Sequence, residues 1–276
     1  MDYIILVIVI ILLLLTVVYF AFLFLLSLLD DITIAFLNRP LYVHFYLNPK
    51  KISSTQRSIL MQNMPFYAKL NAKQSTYFNH RLVKFIDRYQ FIPRENLVIT
   101  DEMKTIIAAT YVMLTFGMRR YLVSVFDKII IYPDEYYSEI NTQNHKGEFN
   151  PRLKAVVFSW KHFIEGQEIS DDNLNLGIHE FTHVIHHYSL RSQDSGALNF
   201  KKQYEKLLKE VFHLPNKERL INSNYFRIYA FTNQFEFISV IIEHYFETPD
   251  QFATEFPELF ENVGRMLNLR QQKLRA

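Results

Sequence analysis

His179-Glu180-Phe181-Thr182-His183 is the stretch on which the reading of this 276-residue chain turns. On a helix, residues four apart lie on one face with Cβ atoms about 6 Å apart. Two imidazoles so placed can each reach one zinc ion at roughly 2.0–2.1 Å. Glu180 follows the first histidine, so it sits beside the metal without being forced onto it. A carboxylate there can take a proton from a zinc-bound water and pass it on. The spacing therefore proposes metal-assisted hydrolysis, on condition that the segment is helical and a third ligand exists. A chance match is the competing explanation.

The flanking residues favour a helix. Asp171, Asp172 and Asn173 offer an N-cap and an acidic first turn. Leu174, Ile178, Phe181, Val184 and Ile185 then recur at helical spacing. Gly177 is a mild cost inside such a helix, which points to a close backbone neighbour at that turn.

Composition narrows the choices. A net charge of +2 carries no nucleic-acid signature. With no cysteine there is neither a disulfide framework nor a thiolate metal site, so any zinc must use histidine and carboxylate. The absence of cysteine suits a reducing compartment. Only 6 glycines and an aromatic content of 16% indicate a helix-rich, aromatic-packed core.

Tyr3 to Leu29 is almost purely apolar, interrupted only by Thr16, Ser27 and the hydroxyls of Tyr3 and Tyr19. As a helix it would span roughly 40 Å, more than a hydrocarbon core of about 30 Å needs, and tilt would absorb the excess. A cleaved signal peptide would want a basic start, a shorter apolar run and a small-residue cleavage site. Here only Met1 and Asp2 precede the run, and Leu28-Leu29-Asp30-Asp31 closes it. A retained single-pass anchor in the cell membrane is expected. Arg39, Lys50, Lys51 and Arg57 follow the span and no basic residue precedes it, which by the positive-inside rule puts the large domain in the cytoplasm.

Residues 3–29 are thus read as a transmembrane helix, 30–65 as a connector and 66–276 as the folded domain. The connector holds a short amphipathic piece around Gln56–Met61, punctuated by Pro40 and Pro65. Phe66 to Gln90 reads as one helix and Leu97-Val98-Ile99 as a short strand. Thr100-Asp101-Glu102 caps a buried helix running to about Phe116, with Gly117 as its C-cap. Lys128–Tyr132 and Lys154–Trp160 read as strands. If the second were an edge, Val157, Phe158 and Ser159 could bind an extended peptide as an added strand. Phe200–Phe212 reads as an amphipathic helix and Pro215–Arg219 as a polar turn.

His186 and His187 extend the histidine run. A ligand two turns from His179 would lie about 12 Å along the axis, too far to share one ion. The longer HExxHxxGxxH form would need histidine where Ser189 stands. A supporting role behind the ligands, or a surface role, is expected for both.

The third ligand is sought in Tyr225 to Phe246, a strongly apolar helical segment. Its only carboxylates are Glu236 and Glu243, seven apart and on one face, with Tyr229, Thr232, Asn233 and Ser239 on or near that face. A buried carboxylate is costly without a partner, and a divalent cation is such a partner. Either glutamate would complete a His-His-Glu site with a fourth position for water. Periodicity does not choose between them, and a solvent-facing polar stripe is the plainer alternative.

Taken together, these motifs resemble the MtfA-like zinc peptidases, a gluzincin-type family. The resemblance runs from about Thr100 to Leu267. It rests on Thr100-Asp101-Glu102-Met103, Val156-Val157-Phe158-Ser159-Trp160, Ile178 to His183, Tyr229 to Asn233 leading to Glu236-Phe237, and Glu243-His244-Tyr245-Phe246. It implies an α+β, mostly helical, zincin-like catalytic domain with a small sheet. It implies that His179, His183 and Glu236 bind one zinc ion, and that Glu180 is the general base and acid. Tyr229 would donate to the developing oxyanion. Glu243 would orient a ligand from behind. Aminopeptidase-like cleavage of small peptides follows from the same resemblance. The alternative is a zinc-containing regulatory module that binds a protein partner, such as a transcriptional regulator, at the membrane with little proteolytic activity. Two departures stand out: the family usually has aspartate where this chain has His186, and its soluble members lack the amino-terminal anchor.

Overall fold

The computed structural model describes residues 2–37, 40–138, 143–169 and 171–269; Arg39, one of the basic residues weighed for orientation, lies outside them. The unbroken apolar run at the start becomes α1 (Asp2–Leu37), a helix long and apolar enough to cross a membrane. The expected amphipathic piece is α2 (Ser54–Asn63), opened by a reciprocal cap between Ser53 and Gln56 and buried through Leu60. The helix expected over Phe66–Gln90 is instead two. Pro65 starts the single turn α3 (Pro65–Ala68). The Asn71 side chain then accepts the Gln74 amide at 2.9 Å and restarts the chain as α4 (Ala72–Arg88).

The strand β1 (Gln90–Pro93) follows directly. Leu97–Ile99, expected as a strand, is not one. Glu95 and Asn96 both adopt left-handed φ, 51° and 60°, and turn the chain before it. Thr100 caps α5 (Asp101–Leu114), whose residues from Thr105 to Leu114 are all buried. Gly117 has no left-handed cap geometry. A Cβ there would fall 2.1 Å from the Leu267 carbonyl, so the glycine serves the close approach of the carboxy-terminal segment.

Five strands come next: β2 (Lys128–Tyr132), β3 (Tyr136–Ser138), β4 (Gln143–His145), β5 (Gly147–Asn150) and β6 (Ala155–Ser159). The main sheet has the order β1-β2-β6-β5, parallel except for the antiparallel β5–β6 pair, and β3–β4 form a separate antiparallel pair. β6 therefore lies inside the sheet. Val157, Phe158 and Ser159 are buried with neighbours on both sides and cannot take an added strand. The edge is β5.

The helical remainder is α6 (Trp160–Glu168), α7 (Leu176–Ser189), α8 (Ser195–Val211), α9 (Leu214–Asn222), a 3₁₀ turn at Ile228–Phe231, α10 (Gln234–Glu247), α11 (Pro249–Glu255) and α12 (Pro257–Met266). The expected polar turn at Pro215–Arg219 is inside α9. Its proline sits in the first turn, where the missing amide costs no hydrogen bond. The chain is thus mostly helical α+β with a small mixed sheet. Phe181, inside the His-Glu-x-x-His stretch, packs edge-on to Phe85, Tyr111 and Phe158, wedging α7 against α4, α5 and β6.

The position of α7 depends on Gly177. A Cβ there would meet the Phe163 ring at 2.6 Å and Thr110 Cγ2 at 3.2 Å. The close neighbour is an aromatic ring rather than the backbone expected from sequence. Gly177→Ala gains helix propensity but overpacks this contact, so a net loss of about 1–3 kcal/mol is expected. Thermal unfolding checks it; an unchanged midpoint would mean that the Phe163 ring yields freely.

Candidate metal centre

Two helices build the site. α7 starts at Asn175, whose side chain accepts the Ile178 amide at 3.0 Å. The expected cap at Asp171–Asn173 is displaced because Asn173 turns left-handed at φ 56°. Its carbonyl accepts from the Arg227 guanidinium, and its side-chain oxygen accepts from the Thr248 hydroxyl at 2.8 Å. The second segment, expected as one helix over Tyr225–Phe246, breaks at Asn233. The Asn233 side chain accepts from the amides of Phe235 and Glu236, at 2.8 and 3.0 Å, and so starts α10. The break sets Glu236 in the first turn of α10 and leaves Tyr229 on the preceding 3₁₀ turn.

His179, His183 and Glu236 converge, with one ligand atom from each lying within 4.8 Å of the others. Glu236 Oε2 is 2.9 Å from His179 Nε2, and Oε1 is 3.7 Å from His183 Nε2. The imidazoles stand nearly perpendicular, at 89°, with centroids 4.8 Å apart. Donors bound to one zinc ion at tetrahedral angles are about 3.4 Å apart, so the three atoms suit a single small cation.

A sharper test of fit lies at His179. Its Nδ1 is 2.8 Å from Glu243 Oε1, which makes Nδ1 the protonated nitrogen and turns the Nε2 lone pair toward Glu236. Glu236 Oε2 is buried and close, yet the contact lacks hydrogen-bond geometry and the oxygen has no hydrogen-bond partner. Two electron-rich atoms 2.9 Å apart need a positive charge beside them, which a proton or a metal ion can supply. The donor set of two imidazoles and one carboxylate is one that zinc favours.

The surroundings are equally specific. Glu243 is fully buried and receives Arg227 at both oxygens, at 2.8 and 3.1 Å, and the Asn175 amide at 3.1 Å. Its Oε1 meets the far side of the His179 ring, at Nδ1. Ser239 Oγ lies 3.3 Å from His183 Nδ1. His186 does not join this arrangement. It is buried among Phe200, Tyr204 and Phe235, and its Nε2 is unpartnered, so no hydrogen bond links it to either ligand histidine among the described residues. His187 faces Arg191 and the Phe149 ring at the surface.

The electrostatics follow from burial and charge. At His179 burial opposes the imidazolium most strongly, but Glu236 and Glu243 together outweigh it and push the pKa up to about 10. His183 is lowered to about 4 by burial and by the neighbouring charge of His179. Burial also disfavours the Glu236 anion, yet the two histidines outweigh it and bring its pKa down to about 2. Glu180 is raised to about 7, mainly by burial and also by the negative charges of Glu236 and Glu148; its carboxylate accepts the Phe149 amide of β5. The half-exposed Tyr229 has its ring centroid 6.3 Å from that of His179 and hydrogen-bonds Glu236; burial and that bond raise its phenol pKa.

Sequence reasoning missed four contributors. Arg227 neutralises Glu243 and Asn175 starts α7; Gly147 lets β5 pass close to Glu180, 3.1 Å from its would-be Cβ to Glu180 Cγ. Tyr136, buried on β3, faces Glu148 and Glu180. Arg227 had a signal, a lone cation entering an apolar segment. The others depend on strand order and on a turn that no local pattern announces.

Comparison with known proteins agrees with this geometry. The profile of the family described as "Glucose-regulated metallo-peptidase M90" matches residues 42–267. An uncharacterized protein of Synechocystis sp. is 26% identical over an alignment covering 74% of this chain and 80% of its own length. The protein named Mlc titration factor A of Serratia proteamaculans is 21% identical, covering 70% of this chain and 80% of its own.

Because the His179 pKa is pushed up to about 10, the metal-free ring carries a proton at pH near 8 that a ligand nitrogen must lose. Zinc uptake should therefore release about one proton there, and affinity should rise about tenfold per pH unit below that pKa. Calorimetry in buffers of different ionisation enthalpy measures this; proton-free binding would mean that the His179 ring is already neutral in the metal-free protein.

Proposed function

We propose that this chain, which belongs to the M90 family of glucose-regulated metallopeptidases, is a zinc peptidase held at a membrane by α1. His179, His183 and Glu236 would hold the ion, which when bound supplies Lewis acidity toward a peptide carbonyl and acidifies a water. Glu180 accepts the water proton and returns it to the leaving amine. In the metal-free protein burial raises its pKa to about 7, so the carboxyl does not stay locked as an anion near neutrality. Tyr229 stays protonated and donates to the developing oxyanion. Glu243, fixed by Arg227, keeps the His179 ring in the orientation that presents Nε2.

The observation that carries this reading is the placement of Glu180. It is buried beside the three ligand atoms, is not one of them, and is held by the Phe149 amide. A site that only stabilises a fold has no use for such a group.

The substrate strand belongs on β5. The Ser159 amide donates to the Lys146 carbonyl at 2.7 Å, so the alternation of an antiparallel pair turns the Gly147 peptide groups and the Phe149 carbonyl toward the open edge, while the Phe149 amide is taken by Glu180. An extended peptide added there runs past Glu180. Short peptides, cleaved in aminopeptidase fashion, are the substrate class the family resemblance supports.

A second reading is kept for one observation, the name of the Serratia relative, Mlc titration factor A, which points to a protein partner. In that reading the domain sequesters a regulator at the membrane and its hydrolytic capacity is secondary. Glu180→Gln separates the two. The variant should keep one zinc by elemental analysis and lose about 10²–10⁴-fold in peptide turnover. Wild-type turnover by the purified variant would defeat the peptidase mechanism, whereas partner capture independent of Glu180 would favour sequestration.

The exposed Lys50, Lys51 and Arg57 after α1 favour a cytoplasmic domain. Alkaline phosphatase fused after Ala276 should then be inactive in a bacterial host; an active fusion would place the domain on the other side.

A further inference from the structure

The segment after α1 returns to the level at which the apolar run of that helix ends. Asp30, which follows Leu29 and is almost fully buried, accepts the Leu41 amide at 2.8 Å and the Arg119 guanidinium at 2.7 Å. Arg119 also donates to the Tyr42 carbonyl at 3.1 Å and stacks 3.8 Å over the Tyr42 ring. Helix α1 runs on past Asp30, placing Ile34 against the folded domain. The chain beginning at Leu41 is therefore fastened to α1 at the first charged residue after its long apolar run.

From Val43 to Leu47 the side chains split in two directions. His44 stacks on Tyr77 with centroids 4.7 Å apart. The Tyr46 hydroxyl accepts from Arg81 Nε at 2.7 Å, and its ring lies on His80 at 4.0 Å. Arg81 is itself fully buried and donates to the carbonyls of Thr115 and Met118 at 2.8 and 2.7 Å. The inward residues thus pin the segment to the core. The outward ones are apolar and bare: Phe45 is 70% exposed and Leu47 90%. Leu41 and Tyr42 are also exposed, and Lys50 and Lys51 follow on the surface.

A rigidly held loop that turns out an aromatic and an aliphatic side chain beside lysines matches the chemistry of a bilayer interface. There, apolar tips enter the headgroup–acyl boundary, tyrosine sits at headgroup depth and cations meet anionic lipid. We propose that residues 41–47 form an interfacial loop that inserts Phe45 and Leu47 into the same bilayer that α1 crosses. Two attachments, latched to each other through Asp30 and Arg119, then fix how the domain faces the membrane. The proposal rests on the reading of α1 as a membrane anchor.

The chain has no cysteine, so Leu47→Cys, Val98→Cys and Leu13→Cys each allow one fluorophore on the full-length protein. The probes are read in vesicles of phosphatidylcholine and phosphatidylglycerol, with brominated acyl chains or aqueous iodide as quenchers. Val98 is an exposed site far along the chain from the loop. Expected is quenching by brominated lipid and loss of iodide quenching at positions 13 and 47, with the reverse at 98. If position 13 is in lipid and position 47 is quenched by iodide like 98, the loop proposal is overturned while the anchor stands. Protection of 47 from both quenchers means that protein covers it, which also overturns the proposal. If position 13 reports water, the anchor reading falls and the loop proposal falls with it.

Discussion

A single imidazole set between two carboxylates of one helix is the interaction around which the centre is arranged. Glu236 and Glu243 are two turns apart on α10, about 10.5 Å along its axis, and the His179 ring lies between them. Such a grip places two buried acids next to a group that is neutral when it binds metal. Each acid then needs its own positive partner, because a buried carboxylate without one is strongly destabilising. Glu243 has Arg227 at both oxygens, while Glu236 has only the two ring nitrogens and Tyr229. The charge balance of the centre is therefore completed at Glu236, beside His183 and Tyr229.

The rest of the fold holds the two helices at the separation this grip requires. Phe181 wedges α7 against the aromatic core, and Gly177 lets it settle onto Phe163 of α6. Asn175 ties three parts together. Its side chain caps α7 and donates to the Gly166 carbonyl and Glu247, and its amide donates to Glu243. The start of the histidine helix and the orientation of the histidine ring are thus set by one residue. β5 passes over the same helix at a glycine, Gly147, so an open edge of the sheet lies beside Glu180.

Much of the centre was legible in sequence because its geometry is helical and local. Spacing of four makes His179 and His183 neighbours, and spacing of seven puts Glu236 and Glu243 on one face. What periodicity leaves open is which glutamate meets which nitrogen, since that depends on how far one helix slides along the other. Both are used, on opposite sides of one ring. The break at Asn233 was hidden because apolar residues continue across it, while the cap is a matter of one side chain. Strand order is non-local, so the interior place of β6 and the edge at β5 had no sequence signal. His186, which stands where the family usually has aspartate, points into an aromatic pocket, and it is Glu243 with Arg227 that meets the far side of the His179 ring.

Glu180 weighs between a peptidase and a pure binding module through the cost of keeping it. In the unfolded chain its carboxyl ionises near the ordinary value of 4.5, and in the metal-free folded protein near 7. A raised acid pKa means that the folded state resists ionisation. The penalty is absent below the unfolded value, grows through the interval and is fully present above pH 7. A shift of this size corresponds to a few kcal/mol, a large share of the 5–15 kcal/mol that typically stabilises a domain. Glutamine would fill the same space and accept the same Phe149 amide without that cost. A protein whose task was only to hold a partner would gain stability from the exchange and lose nothing. Retention of an acid that burial and two neighbouring carboxylates disfavour is what a proton-transfer role requires, and it is the physical reason to place hydrolysis ahead of sequestration.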